Sequence, residues 1–264
     1  MTAELAGSER PLIRQIRILG TPVHMVQLPD VVGLMMQWVT GDRARPYWVV
    51  VADMHAIIEA YKRPEFRSKI ETADLTVPDG ISLIKVARRK GIRLEKRVAG
   101  TDLMKAFFAA SKERGLRHCF FGDTDETLVR LREKLAQSYP GMVIADCYSP
   151  PFRPITPDED AAMIRRINEA RPDILWVGLG LPKQEQWIYD HRARLDVPVV
   201  LGVGAAFKFL AGTVQRAPDW LGDLGLEWLW RLAHEPRRLW RRVMIEGPQF
   251  LGHVALELSG LKKY

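Results

Sequence analysis
Four short apolar runs, at residues 117–121, 142–146, 173–178 and 197–203, alternate with helical stretches that begin near Thr124, at Asp158 and at Pro182. Strands joined by helices of this length cannot form hairpins with one another, so the pattern predicts parallel pairing and a layered α/β fold. Open parallel sheets bind small molecules outside the carboxyl ends of their strands, so loops after the runs are the first places to search for chemistry.

The flanks fill out the same plan. Residues 14–28 read as two short strands around Gly20-Thr21-Pro22, with a helix after Asp30. Residues 47–52 form a continuous apolar run, and Ile57, Ile58 and Tyr61 keep helical spacing. A strand near residues 75–77 enters Pro78-Asp79-Gly80, a helix is predicted over 81–89, and another after Thr101. Residues 219–246 look helical with a break at Pro236, and Phe250, Leu251, Val254, Leu258 and Leu261 extend helix-like spacing into the tail. The expected organisation is a sheet domain over 1–212 and a helical appendage over 213–264.

Composition narrows the function classes. A chain of 264 residues can bury a full core, and no apolar run reaches the roughly 20 residues needed to span a bilayer. The first ten residues lack a basic start and an apolar core, so no signal peptide is expected. Cys119 and Cys147 read as buried free thiols, and cytoplasmic residence is expected. The net charge of +7 matters through its placement: five arginines against Glu235 between Arg231 and Arg242, and four of the eight tryptophans (Trp220, Trp228, Trp230, Trp240) near the C-terminus. Arginine beside tryptophan suits phosphate groups, a membrane interface or nucleic acid. Nucleic acid ranks third because no recognition motif accompanies the charge. Trp228, beside Glu227, reads as part of the core of the appendage.

Several constellations can carry chemistry. The stretch from Ile174 to Glu185 is a buried strand opening on Gly178 and Gly180, followed by Lys183, Gln184 and Glu185. Gly202, Gly204 and Gly212 make a second such opening. Gly178-Leu179-Gly180 lacks the third glycine of a dinucleotide fingerprint, and residues 14–33 supply none, which argues against a nucleotide-sugar dehydrogenase or epimerase. Asp79, held by a rigid turn after a strand, can serve as a general base; the commoner use of Pro-Asp-Gly is a turn whose aspartate bonds its own backbone. Asp123-Thr124-Asp125 could hold a metal and a nucleotide diphosphate, but a helix N-terminus is favoured. Arg238 with Arg241 or Arg242 can converge on one helix face and stabilise a departing pyrophosphate without a metal, or form a basic membrane-facing surface.

Taken in order, these motifs resemble the WecG/TagA/CpsF glycosyltransferase family. The carriers are Val77-Pro-Asp-Gly80, Arg97-Val-Ala-Gly100 with Asp102, Phe121-Gly122, Val177-Gly-Leu-Gly-Leu-Pro-Lys-Gln-Glu185, Gly202-Val-Gly-Ala-Ala-Phe-Lys-Phe209, Ala211-Gly212, Arg216-Ala-Pro218, Gly225-Leu-Glu-Trp-Leu229, Arg231-Leu232, Glu235-Pro236 and Arg238-Leu239. The resemblance implies a Rossmann-like core of mostly parallel strands with helices on both faces and a membrane-touching C-terminal appendage that completes the active site. It implies inverting transfer from a UDP-sugar to a polyprenyl-pyrophosphate-linked saccharide in cell-envelope glycan or exopolysaccharide synthesis, at the inner face of the cytoplasmic membrane, with no metal cofactor.

Matched by position, Asp79 corresponds to the proposed base, Arg97 and Gln184 to polar pocket residues, and Arg231, Arg238 and Arg241 to arginines thought to hold the diphosphate. Gly122, Asp123, Gly178, Gly180, Lys183, Glu185 and Gly204 complete the candidate substrate-binding set. Three positions depart from the family pattern: Val51 and Asp53 stand where many members carry Thr-x-Asn, and Lys208 stands where many carry the aspartate of Phe-Asp-Phe. A neutral hexose donor is then as admissible as N-acetylmannosamine, and Asp53 becomes a rival carboxylate or a partner for sugar hydroxyls. A noncatalytic basic membrane-surface protein is the alternative, and the apolar tail could mask an active-site opening or a self-association surface.

Overall fold
A computed structural model describes residues 13–41, 45–218, 221 and 226–264. Strands β3 (Tyr47–Ala52), β4 (Leu75–Pro78), β5 (Arg117–Gly122), β6 (Val143–Tyr148), β7 (Ile174–Gly178) and β8 (Val199–Gly202) form one parallel sheet in the order β4-β3-β8-β7-β5-β6. Central strands of such a sheet are covered on both faces, which is why β3 and β7 are continuous apolar runs rather than alternating ones. A separate antiparallel pair, β1 (Gln15–Ile18) with β2 (Thr21–His24), is the expected hairpin around Gly20.

Two apolar clusters sandwich the sheet. One joins Trp48, Val50, Leu175, Val177 and Val200 to helices α2 (Met54–Lys62), α3 (Pro64–Ile70), α7 (Pro157–Glu169) and α8 (Lys183–His191). The other joins Val49, Val51, Trp176 and Leu201 to α1 (Leu28–Thr40), α5 (Gly100–Ser111), α6 (Asp125–Ser138) and α9 (Ala206–Ala211). The architecture is α/β with helices on both faces, as expected.

Helix α4 (Ile81–Arg89) follows β4 directly. After β8 come α10 (Glu227–His234), α11 (Pro236–Arg241), a π-helical turn at Arg242–Glu246 and α12 (Gly247–Leu258). The break falls at Pro236, which opens α11 as expected. Phe250 and Val254 of α12 are buried in the first core cluster, so the last helix packs directly on the sheet domain.

Local signals explain most boundaries. Thr156 accepts from the Glu159 N–H while Glu159 accepts from the Thr156 N–H, and Pro157 occupies the first turn of α7. Helix α1 starts at Leu28 rather than after Asp30: Pro29 fits the first turn, and the Asp30 carboxylate accepts from the Gln27 N–H. Thr124 caps α6 by accepting from the Thr127 N–H, which is the favoured reading of the Asp-Thr-Asp segment. Cys119 is buried and Cys147 half-buried, both as free thiols.

Candidate active site
A cleft of about 1860 Å³ lies over the carboxyl ends of β3, β4, β7 and β8 and is closed on its other side by the C-terminal helices. Single-ligand pockets usually measure ~300–1,000 Å³, so this one has room for two substrates. Asp53, Asp79, Arg97, Gly180, Gln184, Gly204, Arg231 and Arg241 of the expected set line it. Gly122, Asp123, Gly178, Lys183 and Glu185 do not. The Arg238 side chain is outside the described residues.

Asp79 is carried out of the sheet by a turn tied on both sides. Its N–H donates to Ala52 O at 2.8 Å, and the Val98 N–H donates to Pro78 O at 2.8 Å. Among the described residues its carboxylate makes no hydrogen bond to its own turn; it faces the Arg97 guanidinium at 3.7 Å. The self-bonding turn aspartate is therefore not what this segment forms. Arg97 also donates to Asp79 O at 3.3 Å and pairs with Glu227 of α10. Burial pushes the Asp79 pKa up, Arg97 pulls it back, Glu227 raises it, and Arg231 and Asp102 act in opposite senses, leaving it at about 7. A carboxyl poised there is half ionised at neutral pH, the range in which a general base works best.

Gln184 is 3% exposed and acts as a strap. Its Oε1 accepts from the Gly180 N–H at 3.1 Å and the Gly204 N–H at 2.9 Å, and its Nε2 donates to Glu185 at 2.8 Å. The two glycine loops are thereby locked to each other, and both of those N–H groups are taken up, so neither is available to a phosphate. Gly202 is required beneath the strap, because a Cβ there would sit 2.5 Å from Gln184 Nε2. Glu185 is fully buried, and burial raises its pKa to about 7 against the hydrogen bond from Gln184. It supports the strap from below rather than facing substrate.

Gly122 and Gly178 answer to packing. They are register partners across β5 and β7, and a Cβ on Gly122 would lie 2.7 Å from Gly178 C. A Cβ on Gly178 would meet the Phe207 ring at 2.5 Å. Asp123, held at φ +58°, accepts from the Thr124 N–H and lies 4.0 Å from Lys208. Lys183 is exposed on α8 outside the cleft.

The C-terminal helices bring cations across the opening. Arg231 projects from α10, its guanidinium 5.7 Å from the centre of the Phe209 ring, and its buried Nε–H has no partner among the described residues. Arg241 lines the same wall. Arg242, which the sequence reading offered only as an alternative to Arg241, pairs with Asp53. The other Asp53 oxygen caps α2 by accepting from the Ala56 N–H at 3.0 Å. Arg216 clamps Asp102 at 2.9 Å through its second nitrogen. The pairings of Glu227, Arg216 and Arg242 escaped the sequence reading because each joins a partner more than a hundred residues away.

His55, Glu59 and Glu246 bring ligand atoms within 4.8 Å of one another at the rim. They are already engaged: His55 Nδ1 lies 2.6 Å from Glu246, Lys62 3.9 Å from Glu246, and Arg63 3.4 Å from Glu59. Trp228, expected in a core, is 45% exposed at the cleft lip.

Comparison with known proteins identifies relatives of the chain. An N-acetylglucosaminyldiphosphoundecaprenol N-acetyl-beta-D-mannosaminyltransferase of Bacillus spizizenii is 30% identical over 203 residues, 77% of each chain. The enzyme of the same name from Staphylococcus aureus is 26% identical over 255 residues, 97% of this chain and 98% of its own. The profile of the glycosyl transferase WecG/TagA/CpsF family matches residues 16–264, from the first strand to the last residue. The protein belongs to that family and is a glycosyltransferase.

Proposed function
We propose that the enzyme moves a hexose or N-acetylhexosamine from a UDP-sugar to a saccharide carried on a polyprenyl diphosphate, with inversion at the anomeric carbon. The observation that carries the reading is a carboxyl with a pKa near 7, Asp79, sharing one cleft with Arg97, Arg231 and Arg241. Asp79 takes the proton of the acceptor hydroxyl as its oxygen attacks the anomeric carbon. The bond to the UDP oxygen breaks on the opposite face, and the charge that develops there is met by Arg231 and Arg241. The Nε–H of Arg231, without a partner among the described residues, supports that role, since a buried donor left unmade costs ~1–3 kcal/mol until a ligand fills it. The relatives' names, which specify transfer onto a diphosphoundecaprenol-linked sugar, support the acceptor class.

In this reading Arg231 and Arg241 neutralise the departing diphosphate without a metal, so turnover should be unchanged by EDTA. A loss restored by a divalent cation would instead implicate the His55, Glu59 and Glu246 cluster. Arg231→Lys keeps the charge and loses the fork; it should slow turnover about tenfold, the equivalent of one charge-assisted hydrogen bond.

Work at the inner leaflet of the cytoplasmic membrane fits the surface. No helix among the described residues is long and apolar enough to cross a membrane. Of the exposed large apolar side chains, Val129, Phe152 and Tyr189 lie in the sheet domain, while Trp228, Leu229, Trp240, Met244, Ile245, Leu251, Leu256, Leu258 and Leu261 lie in the last forty residues. The test is a panel of UDP-sugars with a polyprenyl-diphosphate saccharide, read as UDP release and as the anomeric configuration of the product. Absence of UDP release across the panel, with liposome binding intact, would leave the noncatalytic membrane protein standing.

A further inference from the structure
Past Asp79 the cleft runs on between two helix faces that take no part in the displacement. On one side α4 presents Lys85, Arg88 and Arg89, spaced i, i+3 and i+4 and all exposed. On the other, α12 presents Leu251 and Leu258, 66% and 38% exposed, over a floor made by Val254. The far end is pinned where Lys90, just beyond α4, meets Glu257 of α12 at 2.8 Å.

Neither wall is satisfied among the described residues. Helix α4, ISLIKVARR, contains no acidic residue, and among the described residues no carboxylate lies within ion-pair distance of Lys85, Arg88 or Arg89. Arg88 donates to Leu94 O at 3.2 Å, a neutral partner. Like charges one turn apart repel, and two leucines facing a wet groove forgo the gain of burial. An anion alone relieves the first wall and an apolar chain alone the second. A molecule with a doubly anionic head and a branched hydrocarbon tail relieves both.

We infer that this groove is the seat of the acceptor's polyprenyl diphosphate, with the diphosphate on Lys85, Arg88 and Arg89 and the first isoprene units along Leu251 and Leu258. This rests on the glycosyltransferase reading above. It divides the cations of the cleft into two sets: Arg231 and Arg241 serve the departing UDP, and the α4 trio serves the diphosphate that stays on the acceptor. Helix α4 begins two residues after Asp79, so a head group on its exposed face holds the attached sugar within reach of the base.

The probes are farnesyl diphosphate, inorganic pyrophosphate and vesicles of phosphatidylglycerol, titrated against the full-length enzyme. Wild type should bind farnesyl diphosphate more tightly than pyrophosphate. The triple variant Lys85→Gln, Arg88→Gln, Arg89→Gln should weaken farnesyl diphosphate about tenfold or more and raise the acceptor KM by a similar factor, with the UDP-sugar KM little moved. The double variant Leu251→Ser, Leu258→Ser should abolish the preference for farnesyl diphosphate over pyrophosphate while leaving pyrophosphate binding in place. All five positions are on the surface, so folding is retained and checked by melting temperature. If the triple variant loses vesicle binding yet holds farnesyl diphosphate as wild type does, the trio is a membrane contact and the inference falls. Sugar transfer with an unaltered acceptor KM also overturns it and leaves the proposed function intact. Farnesyl diphosphate binding that depends on the trio, in an enzyme that transfers no sugar, would do the reverse.

Discussion

Asp79→Asn should lower kcat by about 10²–10⁴-fold, the usual worth of a positioned general base, while the protein still folds. The amide preserves shape, and the carboxylate makes no hydrogen bond, among the described residues, that the fold depends on. Its backbone N–H, which does bond to Ala52 O, is untouched. The wild-type pH profile supplies a second readout. With the Asp79 pKa near 7, the carboxyl is protonated below that value and cannot accept a proton, so kcat/KM rises as pH increases through about 7. In the variant that rise should vanish. Asp53→Asn is the comparison that separates the two carboxylates. One Asp53 oxygen accepts from the Ala56 N–H and the other is held by Arg242, so neither is poised for an incoming proton. The asparagine keeps the cap and loses only the ion pair. An Asp53 variant that lost the pH-dependent rise while Asp79→Asn kept it would move the base to Asp53 and break the proposed mechanism.

What could be read from the sequence follows a physical divide. The strands were legible because a parallel sheet buried on both faces demands uninterrupted apolar runs, and residues 47–52 and 174–178 supply them. Asp79 was legible because Pro78 and Gly80 fix a turn at a strand's end. Helices Pro64–Ile70 and Ala206–Ala211 were missed: each spans two turns or fewer, too short for periodicity to declare itself. Charge partners were missed for another reason. Arg97 with Glu227, or Asp53 with Arg242, exists only once the last helices close over the sheet edge, and no local pattern encodes it. Gln184 was noticed as a polar pocket residue, yet its job as a strap between two glycine loops depends on β7 and β8 lying side by side. The glycines were the least readable of all, since a glycine that admits a ligand and one that admits a neighbouring strand leave the same letter.

That last ambiguity yields the largest expected effect on stability. Gly122→Ala should destabilise the fold by about 3 kcal/mol or more, adding overpacking of ~1–3 kcal/mol to backbone strain of similar size. The new Cβ would lie 2.7 Å from Gly178 C and 3.0 Å from Gly178 N and O, and Gly122 sits at φ +115°, a conformation side chains rarely adopt. The atoms in the way are backbone at the carboxyl ends of β5 and β7, paired in register, so they cannot swing aside as a surface side chain would. For a chain of this size the melting temperature should fall by roughly 6–12 °C. Gly180→Ala is the matched control. Its φ is +78°, but nothing among the described residues stands within 4 Å of the Cβ, so only the left-handed backbone term of ~1–2 kcal/mol applies. Melting curves of the two variants therefore separate packing from backbone strain. If Gly122 instead admitted the donor, its alanine variant would melt with the wild type and show its defect as a raised UDP-sugar KM, and the strand-packing account of this glycine would be wrong.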